Sequence, residues 1–220
     1  GVFLGLQVNN WNAAHARHVQ EQVYLERLAD DFDLIIERLE IGIDTYSASV
    51  AALALLHNAI LISRGEVDGE LPTSEAMADA ASLIGTGSIP SGSSATFQEM
   101  IAAGYLSDLE NPELRSALYD YDQAAIMGND AWQTLRDESM NYVSGVSRMY
   151  KFRIDPSTLD GALVVGIDET LLFNDPGIEL GLAMIANAEA NNLLLRRSQL
   201  EKARAVMTLL NPLVTTESAP

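Results

Sequence analysis

Three histidines and a group of carboxylates come nearest to a reactive centre in this chain. His15 and His18 stand three apart, which puts both imidazoles on one helix face, where they could supply two nitrogen ligands to a metal. Further ligands do not follow on that face. Gln22 occupies the place where a continuing His-x-x-His-x-x-x-Glu pattern needs a carboxylate, although Glu21 is adjacent. His15 and His18 therefore read as solvated or interfacial polar groups. His57 is alone in an apolar stretch and reads as a hydrogen-bonded core residue, not a general base. Asp155, Asp160, Asp168, Glu169 and Asp175 gather in an irregular segment and have the chemistry to hold a divalent cation, yet they match no calcium-loop spacing.

The other motifs are weaker. Gly85-Thr-Gly-Ser-Ile-Pro-Ser-Gly-Ser-Ser94 offers backbone N–H groups of the kind that cradle phosphate. It lacks the Gly-Lys-Ser/Thr ending of a P-loop and no strand precedes it, so it reads as a connector. No serine sits in a Gly-x-Ser-x-Gly setting, no helix carries Glu-x-x-His, and the chain has no cysteine. On these grounds no catalytic, cofactor-binding or metal-binding residue is assigned, no cofactor is expected, and the chain reads as a non-enzyme.

Charge excludes one partner class. With 13 Lys/Arg against 31 Asp/Glu the 220 residues carry a net charge of −18, so phosphate backbones are repelled and nucleic acid is not a partner. Residues 1 to 110 hold 4 basic and 16 acidic side chains, a net of −12; the rest hold 9 and 15, a net of −6. Hydrophobic residues make up 48% of the chain, which is enough for a real core.

Helices must position all of these groups. The first residues, Gly1, Val2, Phe3, Leu4, Gly5, Leu6 and Val8, form an apolar run that ends at Trp11, whose ring suits the headgroup level. Eight residues cannot span a bilayer, which takes about 20, so the run reads as the end of a transmembrane helix that begins upstream of Gly1. Gly1 and Gly5 form one Gly-x-x-x-Gly, a weak helix-contact signal. Leu25, Leu28, Phe32, Ile35 and Leu39 then repeat at spacings of 3, 4, 3 and 4, a heptad seam that suits packing on the chain's own helices or association with another copy. The charge-free run 46–63 reads as a buried bundle helix and not as a second span, because it is rich in Ser and Ala, contains His57 and Asn58, and ends at Arg64-Gly65.

Further helices are expected from Pro72 to about Ile84, from a Thr96/Glu99 capping box to Gly104, from Asn111-Pro112 to about Tyr150 with Leu114, Leu118, Tyr121, Ala125, Trp132 and Leu135 inward, and from Asp175-Pro176 to about Leu210. Between the last two, Ala162–Val165 and Leu171–Phe173 fit a small hairpin or irregular packing equally. The expected fold class is all-α: a long N-terminal helix leaves a membrane span and continues into an antiparallel helical bundle, with a small hairpin or irregular segment near 160–174. Residues 1–8 are the end of the span, 9–45 a juxtamembrane heptad-bearing helix, 46–210 the bundle and 211–220 a frayed tail.

Two stretches together resemble an uncharacterised bacterial family of single-span, membrane-anchored helical proteins. One is Gly1-Val-Phe-Leu-Gly-Leu-Gln-Val-Asn-Asn-Trp-Asn12, continuing to Tyr24-Leu-Glu-Arg-Leu28. The other runs from Ser94-Ala-Thr-Phe-Gln-Glu99 to Leu106 and on through Asn111-Pro-Glu-Leu-Arg115 to Tyr121. The resemblance covers about a quarter of the chain. It implies a transmembrane helix upstream of Gly1 and a helical domain beyond, and it transfers no catalytic residue.

The leading expectation for function is a non-enzymatic structural or accessory subunit in the bacterial inner membrane. It would contact the lipid bilayer through its N-terminal helix and a protein partner by self-association or within a larger complex. Sparse positive charge after the anchor, Arg17 and Arg27 alone, favours a periplasmic domain. The alternative is an extracytoplasmic sensor or ligand-binding domain with a pocket near the Gly85–Ser94 loop; a buried, partly polar pocket would favour it. A metal-dependent enzyme using Asp155–Asp175 is third.

Overall fold

The heptad seam and the charge-free run belong to one helix. In the computed structural model α1 extends without a break from Val2 to Ser63. Gly42 does not end it, because one glycine costs only about 1 kcal/mol relative to alanine in a helix that packs on both sides of that point. The structure describes the backbone of residues 2–85, 90–154 and 162–215, and the side chains of 15–85, 90–107, 109–154 and 162–214. Val2, Phe3, Leu4, Gly5, Leu6, Val8 and Trp11 lie on the first turns of α1, with side chains outside that description; Gly1 lies outside the described residues altogether.

After α1 come α2 (Ser74–Leu83), α3 (Ala95–Ala103), a 3-10 turn at Tyr105–Asp108, α4 (Pro112–Val146), a second 3-10 turn at Ser147–Met149, strands β1 (Tyr150–Ile154) and β2 (Ala162–Ile167), α5 (Glu169–Asn174) and α6 (Pro176–Thr215). The class is all-α with one small hairpin. The helix starts follow local chemistry. Asn111 Oδ1 accepts from the N–H groups of Glu113 and Leu114, and Asp175 Oδ1 from that of Gly177, each ahead of a proline at the first helical position. Pro212 does not stop α6, which runs on to Thr215; a proline in the last turns removes a single backbone bond.

The chain forms two compact units, the first of residues 1–39, 91–127 and 198–220 and the second of 40–90 and 128–197. In the first, Leu25, Leu28, Phe32, Ile35 and Leu39 are 0 to 6% exposed and share their burial with Phe97, Met100, Leu114, Leu118 and Tyr121. Phe32 meets Tyr121 edge to face at 4.9 Å between ring centroids. The five seam residues are thus covered by the chain itself, and this stripe is not a surface offered to a second copy. The expected capping box is also corrected. Ser94, not Thr96, caps α3 by accepting from Phe97 N–H, while the Thr96 N–H and the Ser94 hydroxyl both donate to Asp31 at 2.9 and 2.7 Å. Glu99 is held instead by Arg27 through two guanidinium nitrogens and by the Tyr24 hydroxyl.

In the second unit Ala52, Leu53, Leu56, Ala59 and Ile60 of α1 share an apolar core with Met77, Val146, Met149, Leu172, Ile178, Leu182 and Ile185. α6 runs antiparallel to α1, since Glu189 lies beside Ser49 and Glu179 beside His57. By length and by an 18-residue window of mean hydropathy 1.5, α1 is the one helix among the described residues apolar enough to cross a membrane. The charge-free run 46–63 supplies that much of this core, however, which is the behaviour of a bundle helix.

The hairpin differs from the expected pairing. Ala162–Ile167 pairs antiparallel with Tyr150–Ile154, with a bulge between Lys151 and Phe152, and α2 packs against β2. Leu171–Phe173 instead lies in α5, because Asp168 accepts from the N–H groups of Thr170 and Leu171 and starts a helix there. α4 and α6 approach closely at Gly181, where an added Cβ would stand 2.6 Å from Val146 Cγ2. Gly181→Ala gains about 1 kcal/mol of helix propensity but overpacks a buried valine at about 1–3 kcal/mol. A net loss of about 1 kcal/mol is expected in a urea melt.

Candidate functional site

In α6 the inward positions Ile178, Leu182, Ile185, Glu189, Asn192, Arg196, Gln199, Ala203, Val206 and Leu210 alternate by 4 and 3, and all are buried. Four polar residues in a row interrupt an otherwise apolar seam. α1 has the matching interruption: Tyr46 and Ser49, both buried, follow Leu39 and Gly42 in the same register before Leu53 resumes it.

In the second unit Tyr46, Ser49, Glu189, Asn192 and Arg196 form one polar layer, while Gln199 lies in the first unit, where its Nε2 donates to the Ala124 carbonyl at 2.9 Å. The Trp132 indole N–H donates to the Tyr46 hydroxyl at 3.1 Å, and Arg196, only 1% exposed, also hydrogen-bonds that hydroxyl. Glu189 is 5% exposed; its Oε1 accepts from the Gly85 N–H at 3.3 Å, and the buried Ser49 hydroxyl stands beside it. Gly85 takes a left-handed φ of 76°, the conformation that lets its N–H turn back to α6. Glu189 Oε2 and Asn192 Oδ1 are buried without a donor in hydrogen-bonding geometry among the described residues. Burial pushes the Glu189 carboxyl above the ordinary glutamate range, and the Ser49 hydroxyl and Gly85 N–H oppose that only in part.

A cavity of about 180 Å³ opens onto this layer. Glu189 and Asn192 form its buried part, Ile84, Val143, Ile185 and Ala188 give it apolar walls, and Trp132, Ser139, Met140 and Arg136 stand toward solvent. The Arg136 guanidinium lies over the Trp132 ring at 5.3 Å from its centroid. At about 30 Å³ per water, the cavity has room for roughly six waters or a ligand of comparable volume.

The first unit has a larger cavity, about 320 Å³, between Arg17, His18, Tyr24 and Tyr105. Its polar groups are exposed or already engaged: Glu21 accepts from the Glu110 N–H, and Tyr24 donates to Glu99. Buried polar lining, not volume, singles out the second-unit cavity.

The histidines and the carboxylates of the segment 155–175 lie elsewhere. His15 and His18 are exposed on α1. His57 is not a core residue: 39% of its side chain is exposed, and it faces Glu179 at 3.8 Å. Arg64 hydrogen-bonds that same Glu179 at 2.6 Å and holds its carboxyl below the ordinary range. Asp168 caps α5 and Glu169 accepts from the Ser74 hydroxyl. Asp175 caps α6, and its carboxyl is held low by the Gly177 N–H and by Arg148 at 2.6 Å. Asp155 and Asp160 lie outside the described residues. Among the described residues no group of three or more His, Asp or Glu is placed to hold a metal. No family model, curated protein or solved structure matches the chain.

Proposed function

We propose that the chain is a helical ligand-binding domain of sensor type, tethered to the bacterial inner membrane by a single span and facing the periplasm. The two buried polar side chains that line the 180 Å³ cavity, Glu189 and Asn192, carry this reading. A bundle selected for packing alone has no use for Glu189 and Asn192 at seam positions, where apolar residues of similar volume are neutral or stabilising. The apolar run at the start of α1 and the resemblance of its first residues to membrane-anchored proteins support the tether. An accessory role by self-association would rest on that anchor and on Gly1 and Gly5, because the heptad seam is spent inside the chain.

Thermal melts of the detergent-solubilised 220-residue chain against a panel of small polar metabolites test the proposal. Ser139→Phe, at a half-buried rim position, is expected to close the cavity. At least one compound should raise the wild-type midpoint by several degrees and leave the variant unmoved. Equal stabilisation of both proteins, or of neither, rejects a binding role for this cavity.

A further inference from the structure

β1 is the exposed edge of the hairpin. It is bonded to β2 on one side, α2 packs against β2, and every residue from Lys151 to Ile154 is exposed. The bulge places its extra residue, Val165, on β2, so β1 keeps a regular backbone that can take a second neighbour. Its two faces differ. The Tyr150 and Phe152 rings meet at 5.8 Å on one face, which Ile154 continues; Phe152 is 52% and Ile154 75% exposed. Lys151 and Arg153 alternate onto the other face, where the Lys151 stem lies over Gly166: a Cβ added there would stand 3.5 Å from Lys151 Cδ.

Basic residues on an edge strand ordinarily serve to keep other strands away. That role does not account for two large apolar side chains left open on the same strand. Charge narrows the occupant. Arg148, Lys151 and Arg153 fall within six residues that contain no acid, in a chain of net charge −18. Asp175 engages Arg148 at 2.6 Å, whereas Lys151 and Arg153 form no ion pair among the described residues. A second copy fits poorly: antiparallel pairing of two β1 strands centred on Phe152 sets Lys151 opposite Arg153, and like charges directly opposite are destabilising. An anionic bilayer fits poorly as well, because Asp155 and Asp160 lie in the sequence that joins the strands.

We propose that β1 is a docking edge for an extended acidic segment of a partner protein, which adds to the hairpin as a third strand. Backbone N–H and C=O groups pair along the edge, carboxylates at alternate positions meet Lys151 and Arg153, and the apolar residues between them cover Phe152 and Ile154. The edge shares no residue with the second-unit cavity, so the two roles stand or fall separately.

The test is fluorescence anisotropy of a labelled peptide of alternating glutamate and valine, titrated with the solubilised full chain. The peptide should bind saturably and more weakly as salt rises, and a lysine/valine peptide should not bind. Lys151→Glu combined with Arg153→Glu should weaken binding about tenfold. Both side chains are exposed, so that variant should melt like wild type. Methylating the peptide's backbone nitrogens should abolish binding, because it removes the N–H donors that a third strand needs. Absence of binding, equal binding of the lysine/valine or methylated peptide, or binding unchanged in the double variant overturns the proposal. So does either other occupant: a dimer that Phe152→Glu abolishes would give the edge to a second copy. Partition onto phosphatidylglycerol vesicles that the double variant weakens, without peptide binding, would give the two cations to lipid.

Discussion

Phe32→Ala is expected to lower the unfolding free energy by about 3–5 kcal/mol, with no change in association state. Phe32 is completely buried in the first unit, and its ring packs edge to face on Tyr121, an arrangement worth about 0.5–1.5 kcal/mol beyond the area it buries. Truncation removes that contact and leaves a cavity that the surrounding helices close only in part. Leu34→Ala, two residues along the same helix but 52% exposed, should change stability by only about 0.5 kcal/mol or less. Denaturant melts followed by size measurement separate the two roles a heptad can have. A Phe32→Ala protein of near wild-type stability that falls from a larger to a smaller species would show that the stripe joins copies, contrary to its burial here.

That question was not decidable from spacing, because a 3-4 repeat packs with the same geometry against the chain's own helices and against a second copy. Signals confined to a few residues were legible. Asn111-Pro112 and Asp175-Pro176 start helices because the cap and the proline act within one turn, and Gly104 ends α3 in the left-handed conformation that glycine favours. Where two local signals competed, the tertiary partner decided. Thr96 and Glu99 satisfy the capping-box pattern, but Asp31 and Arg27 on α1 claim their donors and acceptors, and the cap passes to Ser94. The hairpin was half legible: Ala162–Val165 is a strand, yet its partner Tyr150–Ile154 lay hidden at the end of a helical pattern and Leu171–Phe173 was claimed by the Asp168 cap. The site's signal in the sequence is one of register. Glu189, Asn192, Arg196 and Gln199 continue the register of Ile178, Leu182 and Ile185, and four polar residues in an inward register are the mark of a polar layer. Individually they are ordinary helix-surface residues; only the register set by their apolar neighbours places them inside.

Glu189→Gln should reverse the usual expectation for a change to a buried charged residue and stabilise the unliganded protein at neutral pH. The glutamate's folded-state pKa is raised by burial, so the folded chain holds a proton at pH values where the unfolded chain has lost it. Its contribution to stability is complete below the ordinary glutamate value and is lost as pH rises through the raised folded value. Glutamine keeps the neutral form at every pH. The variant and wild type should therefore match at about pH 4, and the variant should gain as pH increases, reaching about 1–3 kcal/mol where the wild-type carboxylate is ionised, the cost of a buried charge without its partner. Among the described residues the other ionisable groups near this carboxyl are Tyr150 on β1, Arg136 on α4 at the mouth of the same cavity and, further along the polar layer, Tyr46 on α1 and Arg196 on α6. Tyrosines and arginines do not titrate between about pH 4 and pH 8, and the remaining carboxylates are common to both proteins, so the difference isolates one group. Paired urea melts across that pH range decide the matter. A difference that does not change with pH, or that grows toward acid, would mean that the Glu189 carboxylate is already stabilised in the folded protein.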